Sequence, residues 1–201
     1  IMASSQSLLS TSAKDQSSQI EAWLNRKLDE VKTVKYDLES SGAIKDQKQL
    51  QRKLDDYYGL DSAFVGGFYI ADTKGNVVQA SENQTKYDGA TEQIWYKEGL
   101  TRMNPGYTQA YEDSEGNMMI SACGMLDDPD DVRVLATSLS LDSVNIIVNS
   151  SVSMQGAESL LVDQGNGDIL ASRDSELVST SVNEASDSFL KKVAVKLQKD
   201  D

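Results

Sequence analysis

Two distant segments, "YIADTKGNVVQAS" at residues 69–81 and "LLVDQGNGDILAS" at residues 160–172, share one layout: an apolar run, an aspartate, a glycine turn, a second run and Ala-Ser. A repeat of this kind marks a chain assembled from similar supersecondary units, each needing further elements to cover its apolar face. Asp72 and Ser81 are separated as Asp163 and Ser172 are, although the glycines shift by one. The two copies differ in the elements that come after them. The first is succeeded by a helical pattern and three strand patterns, the second by a single helical pattern over residues 182–198, which is too little to close a sheet. One full module and the opening of another are therefore expected.

Ahead of the first copy, Ile20, Trp23, Leu24, Leu28, Val31, Val34 and Leu38 recur at steps of three and four, the pattern of an amphipathic helix. Followed back through Leu8, Leu9 and Ala13, this helix would reach the first residues and run to about 60 Å at 1.5 Å per residue. It ends near Gly42. A second helix is predicted over residues 46–58, with Leu50, Leu54 and Tyr57 on one side and Gly59 as its stop. The period then changes to that of strands. A hairpin is expected over residues 64–81, followed by a helix holding Trp95 and Tyr96 that Pro105-Gly106 ends. Strands are expected over residues 107–112, 117–124 and 132–139, and a short helix from Leu141 to about 151. The predicted class is α+β, an antiparallel sheet of five strands with helices on one face. The expected divisions are 1–45 for the long helix, 46–150 for the full module and 151–201 for the incomplete one.

Composition removes several kinds of function. With 32 acidic against 19 basic residues the formal net charge is -13, which opposes unaided phosphate binding, so no nucleic-acid partner is expected. The absence of histidine takes away the usual general base near neutral pH and the commonest metal ligand. No phosphate loop, reactive-cysteine motif or convincing carboxylate pair stands in its place, so no catalytic residue, cofactor or metal is expected. Cys123, the single cysteine, sits in an apolar strand pattern and reads as a packing residue. The acidic loop "DDPDD" (residues 127–131) reads as a solvated turn rather than a calcium site, and "DQGNGD" lacks the Asp and Asn ligands of an EF-hand loop. No apolar run approaches the roughly 18 residues of a membrane span, no signal peptide is visible, and both ends read as cut from a longer chain.

One strand carries a distinctive row. Strand side chains alternate faces, which would set Tyr107, Gln109, Tyr111 and Asp113 on one side of the sheet. Aromatic surface mixed with hydrogen-bonding groups suits a small polar ligand. Asp113 has an alternative use as the cap of the "DSEGN" turn, where Asp commonly accepts from local backbone N–H groups. Trp95 and Tyr96 are neighbours on a helix, about 100° apart, so at least one is expected in the core.

The ordered set of long helix, hairpin, Trp95-Tyr96 helix, three strands and repeated hairpin resembles the double Cache family of extracytoplasmic sensor domains, over nearly the whole chain. The resemblance implies a long N-terminal helix, a membrane-distal PAS-like (Cache) module and the start of a membrane-proximal one. It further implies a place between two transmembrane helices of a chemoreceptor, sensor histidine kinase or cyclic-dinucleotide enzyme, with homodimerisation of the intact receptor through the long helix. Amino-acid-binding members hold the ligand ammonium with a tyrosine and an aspartate matched here by Tyr111 and Asp113, and use a Trp-Tyr pair matched by Trp95 and Tyr96. Tyr107 extends this row. Two positions depart from the pattern: Gln93 stands where an arginine grips the ligand carboxylate, and Ser138 where a second aspartate is found. The upstream tyrosine, Tyr87, is displaced by one residue. A neutral amide does not replace a bidentate guanidinium, so an amine, a nucleobase-like amide or an uncharged polar metabolite competes with an α-amino acid as the small-molecule partner. The alternative function is a structural or adhesive surface module without a ligand.

Overall fold

The computed structural model describes residues 2–142, 160–162 and 169–172, with side chains over residues 18–142. The chain divides into two compact units, one of residues 25–140 and one made of the remainder. Helix α1 (Met2–Ser40) is a single 39-residue element, as its apolar stripe predicts, and Val31, Val34 and Leu38 are buried. Past Gly42, a short 3-10 turn (Ala43–Lys45) leads to α2 (Gln47–Tyr57). Asp46 starts α2 by accepting from the backbone N–H groups of Lys48 and Gln49, a side-chain cap that satisfies donors the helix itself leaves unpaired. Leu50 and Leu54 form its buried side.

The sheet is antiparallel throughout and contains β1 (Val65–Asp72), β2 (Val77–Gln79), β3 (Gly106–Tyr107), β4 (Tyr111–Glu112), β5 (Met118–Met125) and β6 (Arg133–Ser140). Its order is β2-β1-β6-β5-β3, with β4 also paired to β5. The long central strands β1, β5 and β6 read as near-continuous apolar runs because both of their faces are covered. On one face, the ring of Tyr57 from α2 meets Phe68 edge-on at 5.9 Å. The short helix α3 (Ile94–Gly99) packs on the opposite face, where Gly99 lies so close to β6 that an added Cβ would stand 2.3 Å from Val134 Cγ1. Helices on one face only are therefore not what forms. Trp95 and Tyr96 carry too much apolar surface to leave in water, and they bury it on the second face of the sheet.

Two register shifts decide what that second face displays. In β1, Val65 pairs with Ser138 but Phe68 with Thr137, so Gly66 and Gly67 are looped out, both in the left-handed region at φ 74° and 69°. The strand expected over 107–112 is broken as well. Tyr107 pairs with Ala122 and Tyr111 with Met119, which leaves one unmatched residue between β3 and β4. Thr108 fills the break, with its N–H donating to Ser121 O and its Oγ1 accepting from Ser121 N.

In the second unit, β7 (Leu160–Val162) and β8 (Ile169–Ser172) form the antiparallel pair expected of the repeated hairpin, Leu160 opposite Ser172. The helices expected after Leu141 and over residues 182–198 lie outside the described residues, apart from Leu141 and Asp142. Among the described residues, no helix is long and apolar enough to cross a membrane.

Candidate ligand-binding site

The face of the sheet under α3 is apolar at one end and polar at the other. Tyr69 and Ala71 of β1, Cys123 of β5, and Val134 and Ala136 of β6 pack with Ala90, Trp95 and Tyr96 into a closed cluster, against which Tyr87 and Tyr111 lean. Burial pushes the Cys123 thiol up to about 11, which suits a packing residue rather than a nucleophile. Toward β4 the strands present Ser121, Ser138 and Ser140 instead, and a cavity of about 630 Å³ opens there, with Ser138 and Ser140 in its lining.

The inner wall of this cavity is aromatic. Tyr69 and Tyr87 stack with ring centres 4.4 Å apart, and Trp95 meets both edge-on, at 4.9 and 6.1 Å. Tyr69 and Trp95 are almost fully buried, so they close the cavity from behind while the half-buried Tyr87 and Tyr111 face it more openly. Burial, with the neighbouring phenols of Tyr111 and Tyr87, raises Tyr69 well above an ordinary tyrosine. Burial likewise lifts Tyr87 up to about 12 against the donors Asn83 and Thr85, so both stay protonated at neutral pH.

On the floor, Tyr69, Tyr111 and Ser138 are knotted through their hydroxyls with the buried Ser121 behind them, a network drawn from four strands. Tyr69 Oη lies 2.7 Å from Ser138 Oγ, Tyr111 Oη 2.6 Å from Ser121 Oγ and 3.3 Å from Ser138 Oγ, and the two serines are 3.2 Å apart. The mouth is formed by two loops, around residues 84–88 and 113–117. The first is held at Asn83, which accepts from Thr85 N and donates to the Tyr87 hydroxyl at 3.2 Å.

Asp113 stands at the mouth with its carboxylate already oriented. It accepts from the N–H groups of Glu115 and Asn117 at 2.9 and 2.8 Å and from Asn117 Nδ2 at 3.2 Å, the turn cap that "DSEGN" allows. Asp72 does the same in "DTKGN", accepting from Lys74 N, Asn76 N and Asn76 Nδ2. The two turns are chemical twins, yet only the second borders the cavity.

Of the residues singled out in the sequence, Gln93, Trp95, Tyr111, Asp113 and Ser138 are brought together around the cavity, while Tyr96 and Tyr107 are not. Gln93 sits at the start of α3, and its amide donates to Asp88 O at 3.5 Å. Tyr96 is buried in the cluster beside Trp95. Tyr107 points to the other face, because the unmatched residue before β4 reverses the alternation. Burial and the carboxylates of Glu30 and Asp29 on α1 raise its phenol. Tyr69 on the floor and Ser121 behind it carry no sequence signal, since their polar ends sit inside apolar strand patterns. The acidic loop is tied down elsewhere: Lys45 and Arg133 both bind Asp128, whose carboxyl they hold well below the usual range together with the N–H of Asp130. No cluster of potential metal ligands occurs among the described residues.

No family model and no curated protein sequence matches the chain. Solved structures do. The ligand-binding domain of the Pseudomonas fluorescens chemoreceptor CtaA, in complex with L-valine, aligns with a TM-score of 0.73 at 22 % identity, covering 89 % of this chain and 80 % of that one. The ligand-binding domain of the Pseudomonas aeruginosa amino-acid chemoreceptor PctC, in complex with GABA, gives 0.73 at 21 %, covering 91 % and 83 %. That of PctB from the same organism, in complex with L-Gln, gives 0.72 at 20 %, covering 88 % and 72 %. The likeness is one of fold, an antiparallel sheet with a long leading helix, and the chain has the double Cache fold of these chemoreceptor ligand-binding domains.

Proposed function

We propose that this chain is the extracytoplasmic ligand-sensing domain of a transmembrane signal-transduction receptor. Its module over residues 46–150 binds a small polar metabolite, an amine, an amino acid or a related compound. The observation that carries this reading is the cavity of about 630 Å³, aromatic on its inner wall and hydroxylated on its floor. That size lies within the range of small-molecule sites, and a few oriented polar groups among apolar walls are what such sites need. Trp95 and Tyr111 supply walls, Gln93 and Ser138 supply neutral hydrogen-bonding groups, and Asp113 supplies the charge. Tyr96 and Tyr107 act from behind, as packing for Trp95 and for the sheet. Binding rather than catalysis is the output in this reading, in keeping with the ligand-binding domains to which the chain is similar. The domain is carried by membrane segments flanking residues 1–201, and α1 pairs with a second copy in the intact receptor. That the CtaA, PctC and PctB domains hold L-valine, GABA and L-Gln supports a ligand of metabolite size.

A thermal-shift screen of amines, amino acids and nucleobases tests the reading, because a ligand at 100 times its Kd adds about 2.7 kcal/mol to stability. At least one compound raises the melting temperature of the wild type and fails to do so for Trp95→Ala. If no compound in any class shifts the wild type, the reading is wrong, and a structural surface module takes its place.

A further inference from the structure

Resting on the sensing reading above, we infer that the cavity selects an organic amine that carries no carboxylate. Three features of the site lead there.

Among the described residues, the charged groups on the cavity are Asp88, Asp113 and Glu115 against one cation, Lys86. A ligand carboxylate entering this site needs charge-assisted donors of its own, and Arg102 and Arg133 are committed elsewhere. Arg102 donates to Tyr107 O at 2.8 Å and to Glu98 at 2.9 Å, and Arg133 donates to Ile44 O and Asp128. Neither borders the cavity. Lys86 is exposed and must act against three carboxylates.

The floor has a donor count that points the same way. The hydroxyls of Tyr69, Tyr111, Ser121 and Ser138 hold four protons and eight lone pairs, and their four mutual contacts use four of each. Every proton is then spent inside the knot, and what remains for a ligand is lone pairs. A carboxylate accepts only, so it would have to break a contact in the floor to gain a donor. An ammonium or other N–H group meets acceptors that are already in place.

The third feature is the aromatic wall. Tyr87, Trp95 and Tyr69 are packed within 4.4 to 6.1 Å of one another, and where such a ring turns a face to a partly desolvated site, that face attracts a cation and not an anion. Asp113, fixed by its three turn hydrogen bonds, gives that cation a counter-charge that needs no reorganisation.

Calorimetry on matched pairs tests the inference: tyramine with L-tyrosine, phenethylamine with L-phenylalanine, 1,5-diaminopentane with L-lysine, and isobutylamine with L-valine. In at least one pair the amine binds ten-fold or more tightly than its parent acid. Asp113→Asn, which keeps an oxygen for the turn N–H groups, weakens that amine at least ten-fold, and Lys86→Gln tightens it two-fold or more. Circular dichroism of each variant confirms the fold, and the wild-type pairs decide the question without any variant. Amino acids that bind more tightly than their amines, with Lys86→Gln destroying that affinity, would overturn the inference and leave the sensing function standing. Binding of uracil or adenine alone would overturn it in the same way. No binding by amines, amino acids or nucleobases would remove both.

Discussion

Tyr69 and Ser138 face each other from β1 and β6 with their hydroxyl oxygens 2.7 Å apart, and through this pair the most deeply buried ring of the module is fastened to the cavity floor. Tyr69→Phe removes one hydroxyl and leaves Ser138 its contacts with Tyr111 and Ser121. The expected loss is about 1 kcal/mol, the net worth of a buried neutral hydrogen bond, read from urea denaturation with the far-ultraviolet spectrum unchanged. A loss above about 3 kcal/mol would mean that the ring had moved, a packing effect instead of a polar one.

Asp72 and Asp113 provide an internal control. Each caps a turn of the same sequence type with the same three hydrogen bonds. Replacing either by alanine should cost about 1 kcal/mol of stability, as loss of an aspartate cap usually does. Only Asp113→Ala should also lose ligand affinity, since only Asp113 borders the cavity. Parallel denaturation and calorimetry on the two variants checks this, and equal affinities in both would remove Asp113 from the site.

Gly99→Ala tests the seating of α3. The added methyl would lie 2.3 Å from Cγ1 of the fully buried Val134 on a central strand. Overpacking of this kind costs about 1–3 kcal/mol. Because Trp95 rides on the same helix, ligand affinity should fall as well, while Asp72→Ala, which costs similar stability, leaves affinity intact.

Acid sensitivity should trace in part to Asp128. Lys45 first, then the Asp130 N–H and Arg133, depress its carboxyl below the ordinary value of 3.8. A depressed carboxyl contributes stability that is fully present above the unfolded value and is lost as pH falls through the folded one. Urea midpoints measured from pH 5 downward should therefore decline below about pH 4, and Asp128→Asn should flatten that decline while lowering stability at pH 7. An unchanged acid slope in the variant would show that other carboxylates carry it.

Much of this architecture is legible because it rests on local chemistry. The stripe through Val31, Val34 and Leu38 predicts α1, and the Gly59 stop and the apolar runs of β5 and β6 announce themselves in the same way. The site is only half legible. Trp95, Tyr111 and Asp113 stand out as aromatic or charged residues in telling places, but Tyr69 looks like one more apolar strand residue until Ser138, 69 positions away, is brought to its hydroxyl. Face assignment fails at Tyr107 for a related reason. Alternation by two assumes unbroken pairing, and the unmatched residue becomes visible only against the register of β5. Gly66-Gly67 hides a second shift inside what reads as a plain strand.

The unmatched residue between Tyr107 and Tyr111 also makes this ribbon sensitive to its own length. Because the side-chain period of a strand is two, losing one residue from 108–110 would restore regular pairing and put both tyrosines on the same face. Either Tyr107 would leave the carboxylates of α1 for the cavity, or Tyr111 would abandon Ser121 and Ser138. A single deletion or insertion could thus exchange the whole lining of one wall, a larger step in ligand preference than any one substitution there can take. Variants of this domain that differ by one codon in this segment should be sorted by length before they are compared residue by residue.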